Sequence, residues 1–265
     1  MALSITGGAT LNGVKMSKVP PNFNPVTFWS GQTGGFWDFT DSANLFADVT
    51  LTTPATLNAA GGVLGVADLT GNGTKLTQVS GYTNAFTMRS GYCESYVGGL
   101  STASVPAMSS FTAIILVRPS SVTSTQALMD TDYGNSNRIS QNIIFDASSK
   151  MQTYIFGYPA PPYTMTTPTL VVSTDYYASV AVDSNDADLR VGGTTYNTAA
   201  GGGVGGVAVP IAVGAAYAGT NTRPMINPFT GRIYCAAWIN KKCTPTEIAD
   251  IGAYMNTLAG TSATV

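Results

Sequence analysis

A single segment near the end of the chain carries a helical period, and it limits what the rest can fold into. Thr244 offers a capping hydroxyl, Pro245 stands at the first helical position, and Glu247 completes a Thr-x-x-Glu capping box. Ile248, Ile251, Met255 and Leu258 then recur on one side, and Gly260 supplies the stop. Upstream, the pattern is short strands between turn clusters. A lone helix with one apolar side must lie against a sheet, so the chain is predicted to be β throughout with a helix laid on it.

The strands can be read individually. FTAIILV (111–117) is apolar on both faces, as a central sandwich strand should be. YYASVAVD (176–183) runs into Ser184-Asn185-Asp186-Ala187 and returns as DLRVGG, a β-hairpin. In GVAVPIAVG (206–214), Val207, Val209, Ile211 and Val213 share a side, and Pro210 predicts an edge strand or a bulge. In GRIYCAAWI (231–239), strict alternation groups Ile233, Cys235, Ala237 and Ile239 on one face. Arg232, Tyr234, Ala236 and Trp238 take the other, and Cys235 reads as core. The Gly-rich run 199–206 lacks the Lys-Ser/Thr and following helix of a phosphate loop.

Residues 1–28 are rich in Gly, Asn and Pro and end in VPPNFNPVTF. Pro20, Pro21 and Pro25 remove ladder donors, so this stretch is predicted to be an extended N-terminal arm preceding a domain over 29–265. Pro20, Pro21, Phe23 and Trp29 are its candidate interface residues, with Trp29 and Trp37 expected to anchor it.

Charged residues make up only 10% of the chain, so Ser, Thr, Asn and Gly must supply most of the polar surface. Such a surface repels weakly and suits contact with neighbours; a homo-oligomer is expected. The net charge is −2 with no basic run beyond Lys241-Lys242, which argues against nucleic acid. There is no apolar run of about 20 residues to cross a membrane as a helix, and MALSITGGAT lacks the features of a signal peptide. The chain has no His, which excludes a mixed Cys/His metal site. Cys93, Cys235 and Cys243 read as buried thiols, with a Cys235–Cys243 bridge left open.

The ending PFTGRIYCAAWINKKCTPTEIADIGAYM resembles the C-terminal signature of concanavalin A-like, laminin-G-like jelly-roll domains. In that family a Phe-x-Gly precedes the last strand and a capped helix packs across the sandwich edge. FTAIILVRPSS, YYASVAVDSNDADLRVGGTTY and VPIAVGAAY are similar to earlier strands of the same domains, in order. FWDFTDSANLFADVTLTTPAT followed by GVADLTGNGTKLTQ is similar to a block found in bacteriophage virion proteins with this fold. The resemblance covers about 29–258. It implies an all-β, two-sheet antiparallel jelly-roll sandwich (concanavalin A-like) with one C-terminal helix; the arm 1–28 lies outside the resemblance. It also implies a structural protein of a virion surface, a capsid decoration or a head or tail fibre component. Such a protein would touch sister subunits and other virion proteins. A lectin-like receptor-recognition module binding a host surface glycan is the alternative.

Catalysis is not expected. Glucanases of this fold carry Glu-x-Asp-x-x-Glu on one strand, and this chain has two glutamates, Glu94 and Glu247, the latter explained by the capping box. Asp183, Asp186 and Asp188 could donate oxygens to Ca²⁺, although Asp and Asn also make hairpin turns; no other cofactor is expected. The loop Asp68 to Thr74 is likewise a turn that could hold an ion through its carbonyls. YIFGYPAPPY (154–163) and DTDYGNSNR (130–138) are the candidate sugar platform. There Tyr158 and Tyr163, with Tyr133 nearby, would stack while Asp130, Asp132, Asn135 and Asn137 are the Asp and Asn candidates for hydroxyl hydrogen bonds. The competing reading makes Tyr154 and Phe156 core residues and the tyrosines loop or subunit contacts.

Overall fold

The computed structural model describes residues 10–11, 14–15, 23–79, 86–103, 105–106, 109–131, 140–156, 163–199, 210–217 and 225–265. Two antiparallel sheets face each other, as the sequence pattern predicts. In the front sheet the order is Thr194–Ala199, Asp186–Val191, Tyr176–Val182, Phe111–Pro119, Gly231–Ile239, Tyr92–Ser95, Phe86–Arg89. Gly34–Asp38 also pairs with the far end of Gly231–Ile239. In the back sheet the order is Tyr163–Thr169, Lys150–Phe156, Ser140–Phe145, Gln126–Thr131, Ile211–Val213, Leu100–Ser101, Leu76–Gln78, Gly65–Val66, Leu45–Phe46. Between the sheets lies the main core, with Phe39, Leu45, Phe86, Leu100, Ile115, Met129, Phe145 and Phe229 among its members.

The helix Pro245–Ala259 forms with its predicted capping box, and Gly260 closes it in the left-handed region at φ 61°. It does not close a sandwich edge. It lies over the outer face of the front sheet, where Ile248, Ile251 and Met255 pack on Ile114, Leu116, Tyr177, Cys235, Ala237 and Ile239. The reason is that Phe111–Pro119 is apolar on both faces, so its outer residues need a cover. Burying three large side chains there contributes on the order of 1.5–3 kcal/mol each. The molecule therefore has three layers: back sheet, front sheet, helix.

Three sequence expectations need correction. Residues 25–28 are not extended: Asn24 accepts from the Val26 N–H at 2.9 Å, Pro25 opens the turn, and Pro25–Phe28 is a short helix. Phe23 and Phe28 pack into the helix-side core, and Trp29 is fully buried. Thr10–Leu11 pairs with Val14–Lys15, while Pro20 and Pro21 lie outside the described residues. Second, Ile211–Val213 is an interior strand, paired on both sides. Pro210 stands just before it, where its missing N–H costs no ladder bond.

Third, the alternation of Gly231–Ile239 is broken. Leu116 pairs with Cys235 but Val117 pairs with Ile233, so Tyr234 is an extra residue. Beyond this bulge the faces exchange. Ile233, Ala236 and Trp238 join the inter-sheet core, whereas Tyr234, Cys235, Ala237 and Ile239 join the helix-side core. Cys235 is buried as expected, and Cys93, Cys235 and Cys243 are all free thiols, so the alternative Cys235–Cys243 bridge is not made. Burial pushes the Cys243 thiol up to about 11.

Candidate functional site

The block 36–73 owes its pattern to one local device used three times. In Asp38-Phe-Thr40, Asp48-Val-Thr50 and Asp68-Leu-Thr70, the aspartate Oδ1 accepts from both the backbone N–H and the hydroxyl of the threonine two residues on. These are Asx-type turns, in which a carboxylate replaces a backbone carbonyl. Asp68 also accepts from the N–H groups of Phe36 (3.1 Å) and Thr74 (3.2 Å), so it ties its loop to the Gly34–Asp38 strand. Its oxygens are thus committed to the fold. Threonine hydrogen bonds hold the Asp48 carboxyl well below the usual carboxylate range.

The loop that Asp68 organises forms one wall of a cleft of about 320 Å³. Thr33, Gly73, Thr74, Lys75 and Thr77 line it with hydroxyls and a charge, and Ala103, Val105 and Pro106 add an apolar strip. The polar side is fixed from outside. Thr33 is clamped to Asn240 by two hydrogen bonds of 2.7 and 3.0 Å. The Trp37 indole N–H donates to the Thr74 carbonyl at 2.7 Å, and the Asn72 amide donates to the Gln32 carbonyl at 3.0 Å. The Lys75 ammonium donates to the Val49 carbonyl at 3.1 Å. A rigid cleft with several hydroxyls and one cation suits a polyhydroxylated ligand, because little ordering entropy remains to be lost on binding.

Topology places this cleft at a particular end of the back sheet. Ser101 pairs with Ala212 and Ala212 with Asp130; one step on, Thr102 donates to the Ile211 carbonyl, and Ile211 pairs with Thr131. The ends joined by the two sequence-predicted sugar segments are at the same level: Ser140 pairs with Phe156 and Ile155 with Tyr163. Of the candidates themselves, Tyr163 opens the strand Tyr163–Thr169. Asp132, Tyr133, Asn135 and Tyr158 lie outside the described residues. The strands Gln126–Thr131 and Leu76–Gln78 are three places apart, about 14 Å at 4.8 Å per strand. Sequence reading had noted the Asp68–Thr74 turn but missed Thr33, Lys75, Thr77 and Val105 as its neighbours. They come from separate segments, and no local period links them.

The candidate calcium trio is not gathered into a cage. Asp183 accepts from the N–H groups of Asn185 (2.8 Å) and Asp186 (3.1 Å), as a turn aspartate does. The Lys242 ammonium sits against both Asp183 and Asp186, and Asp188 lies two residues on in the same strand as Asp186, where burial pushes its carboxyl up. Among the described residues no group of three or more His, Cys, Asp or Glu is placed to hold a metal ion. The two glutamates are held in ion pairs, Glu94 with Arg89 at 2.8 Å and Glu247 with Lys241 at 2.6 Å. Burial alone would raise Glu94, but hydrogen bonds from Tyr96 and Arg89 outweigh it and leave the carboxyl below its ordinary value.

No family model and no curated protein matches the chain. Solved structures do match. A Trypanosoma rangeli sialidase in complex with sialic acid is similar at a TM-score of 0.54 and 11% identity, over 86% of this chain and 34% of that one. Domain 4 of AbnA, a GH43 extracellular arabinanase from Geobacillus stearothermophilus, in complex with arabinotriose, is similar at a TM-score of 0.50 and 14% identity. That match covers 83% of this chain and 98% of the domain. The chain thus spans about a third of the sialidase and nearly the whole of the arabinanase domain. At these identities the likeness is one of fold, a two-sheet sandwich.

Proposed function

We propose that the chain is a non-catalytic carbohydrate-binding module that takes a glycan at one end of its back sheet. The observation that carries this reading is the hydroxyl-lined cleft at the end of the back sheet where the strands also reach Thr131, Ser140, Phe156 and Tyr163. The sequence joining those strand ends is aromatic and rich in Asn and Asp, residue types a sugar site uses. The fold-level likeness to an arabinanase domain solved with arabinotriose supports it. So does the state of both glutamates: a general acid needs a raised pKa, and Glu94 and Glu247 are lowered. Calorimetric titration with arabino- and xylo-oligosaccharides tests the reading. Binding that falls about tenfold in Thr74→Val or Tyr163→Ala, with no new reducing ends released, is the expected result. No binding across a broad glycan array would overturn it.

A second reading is contact on a virion surface, in a capsid decoration or a head or tail fibre component, with sister subunits and virion proteins as partners. The resemblance of residues 36–73 favours it, although the structure gives that block a turn-forming role any sandwich could use. Because Phe23, Phe28 and Trp29 are packed into the domain, the test of this reading falls on the segment before them. Deleting 1–22 should release the protein from particles or dissolve its oligomers; unchanged assembly removes this reading.

A further inference from the structure

The helix leaves one end of the front sheet's outer face uncovered, and that end concentrates charge in a chain that has little. Val117, Ile233 and Cys93 form an inward row, so the next row outward is Arg118, Arg232 and Glu94 in direct register. The Tyr234 bulge is what brings Arg232 there. With strict alternation from Cys235, Ile233 would face outward and Arg232 would be driven into the core. Two arginines directly opposite on neighbouring strands repel each other. Arg118 is neutralised by Asp175 through a fork of 2.7 and 2.5 Å, and Arg89 by Glu94. Arg232 makes no ion pair within 4 Å among the described residues. Its guanidinium lies 4.4 Å from the centroid of Tyr92, whose ring meets Tyr234 edge-on at 6.2 Å. Stacking fixes the plane of the guanidinium; one donor is shared with the Tyr234 hydroxyl and Glu94 attracts it across the row, and the remaining donors are the ones a partner would use. Beside the row, Tyr96 and Val97 are exposed.

We propose that Arg232, braced by Tyr92 and set beside Arg118, is a binding site for the carboxylate or sulfate group of an acidic polysaccharide. An incoming anion relieves the Arg118–Arg232 repulsion and takes two parallel hydrogen bonds, while Tyr96 and Val97 receive the sugar's apolar face. The choice of a polysaccharide rests on the carbohydrate-binding reading above; the anion chemistry rests on the arginines alone. The site is separate from the cleft. Arg232 is eight residues from Asn240, which holds Thr33, or about 26 Å along an extended strand. A protein of net charge −2 also has no general attraction for polyanions, so uptake of one reports a local site.

The test is immobilised wild type, Arg232→Gln, Arg232→Lys and Thr74→Val against oligogalacturonate, dextran sulfate, neutral dextran and arabinan. The expected result is uptake of oligogalacturonate or dextran sulfate by wild type that weakens with salt. Uptake should fall about tenfold or more in Arg232→Gln and partly in Arg232→Lys, and stay unchanged in Thr74→Val. Which polyanion binds more tightly separates carboxylate from sulfate. Polyanion binding untouched by Arg232→Gln overturns the site. Binding of neutral arabinan alone overturns it while leaving the carbohydrate reading standing, and binding of none of the four overturns the site, the carbohydrate reading being decided by the glycan array. Circular dichroism melting of Arg232→Gln shows whether a loss of binding is a loss of fold.

Discussion

The indole N–H of Trp29 donates to the backbone carbonyl of Trp238 at 2.9 Å, across 209 residues of sequence and with both side chains buried. This bond fastens the segment before the first sandwich strand to the last strand of the front sheet. Phe23, Phe28, Phe36 and Tyr254 close around it, with ring centroids 5.0–6.5 Å apart. Trp29→Phe should cost about 1–2 kcal/mol, the value of a buried hydrogen bond whose acceptor is left unmet. Trp29→Ala should cost about 3–5 kcal/mol, because it adds a cavity. Urea unfolding measures both, and a Trp29→Phe cost near zero would mean the hydrogen bond contributes nothing.

Gly34 stands at φ 126°, and a Cβ built there would lie 2.0 Å from the Trp238 carbonyl oxygen. Neither backbone can give way, since Gly34 pairs with Ile239 in the sheet. Gly34→Ala should destabilise by about 3 kcal/mol or more, and a thermal midpoint within a degree of wild type would contradict the close approach.

The capping box links stability to pH. Burial alone would raise the Glu247 carboxyl, but hydrogen bonds from Lys241 and the Thr244 N–H outweigh it, and the net shift is downward from 4.5. A folded-state value below the unfolded one means the contribution is fully present above about pH 4.5 and is lost as pH falls through the folded value. Wild type should therefore exceed Glu247→Gln in stability at neutral pH, with the gap shrinking on acidification below 4.5. Thr244→Ala should cost about 1 kcal/mol. Denaturant midpoints from pH 3 to 7 check both, and a constant gap would remove the ionic part.

The three thiols should be silent in the folded protein. Cys93 and Cys235 are fully buried and Cys243 nearly so, with burial pushing each thiol's pKa up. A thiol reagent at pH 8 should label fewer than one cysteine per chain until denaturant is added, then three. Because no disulfide joins them, reductant should leave the melting temperature unchanged. Rapid labelling without denaturant would mean that the helix lifts from the sheet.

What was legible in the sequence was what local physics dictates. The capped helix Pro245–Ala259, the doubly apolar strand Phe111–Pro119 and the hairpin at Ser184–Asn185 each follow from a cap, a period or a turn residue within a few positions. The sandwich itself came from the resemblance of several segments, in order, to jelly-roll domains. The tertiary structure alone decided which face each residue of Gly231–Ile239 occupies, because the Tyr234 bulge exists only in register with Leu116 and Val117. The same holds for the cleft, where Thr33, Thr74 and Val105 meet through long-range pairing that no window of sequence contains. It holds for Arg232, whose place beside Arg118 depends on one inserted residue, Tyr234, in its own strand. Propensity and capping act over a turn or two of chain, whereas register is chosen by the summed packing of two sheets and a helix.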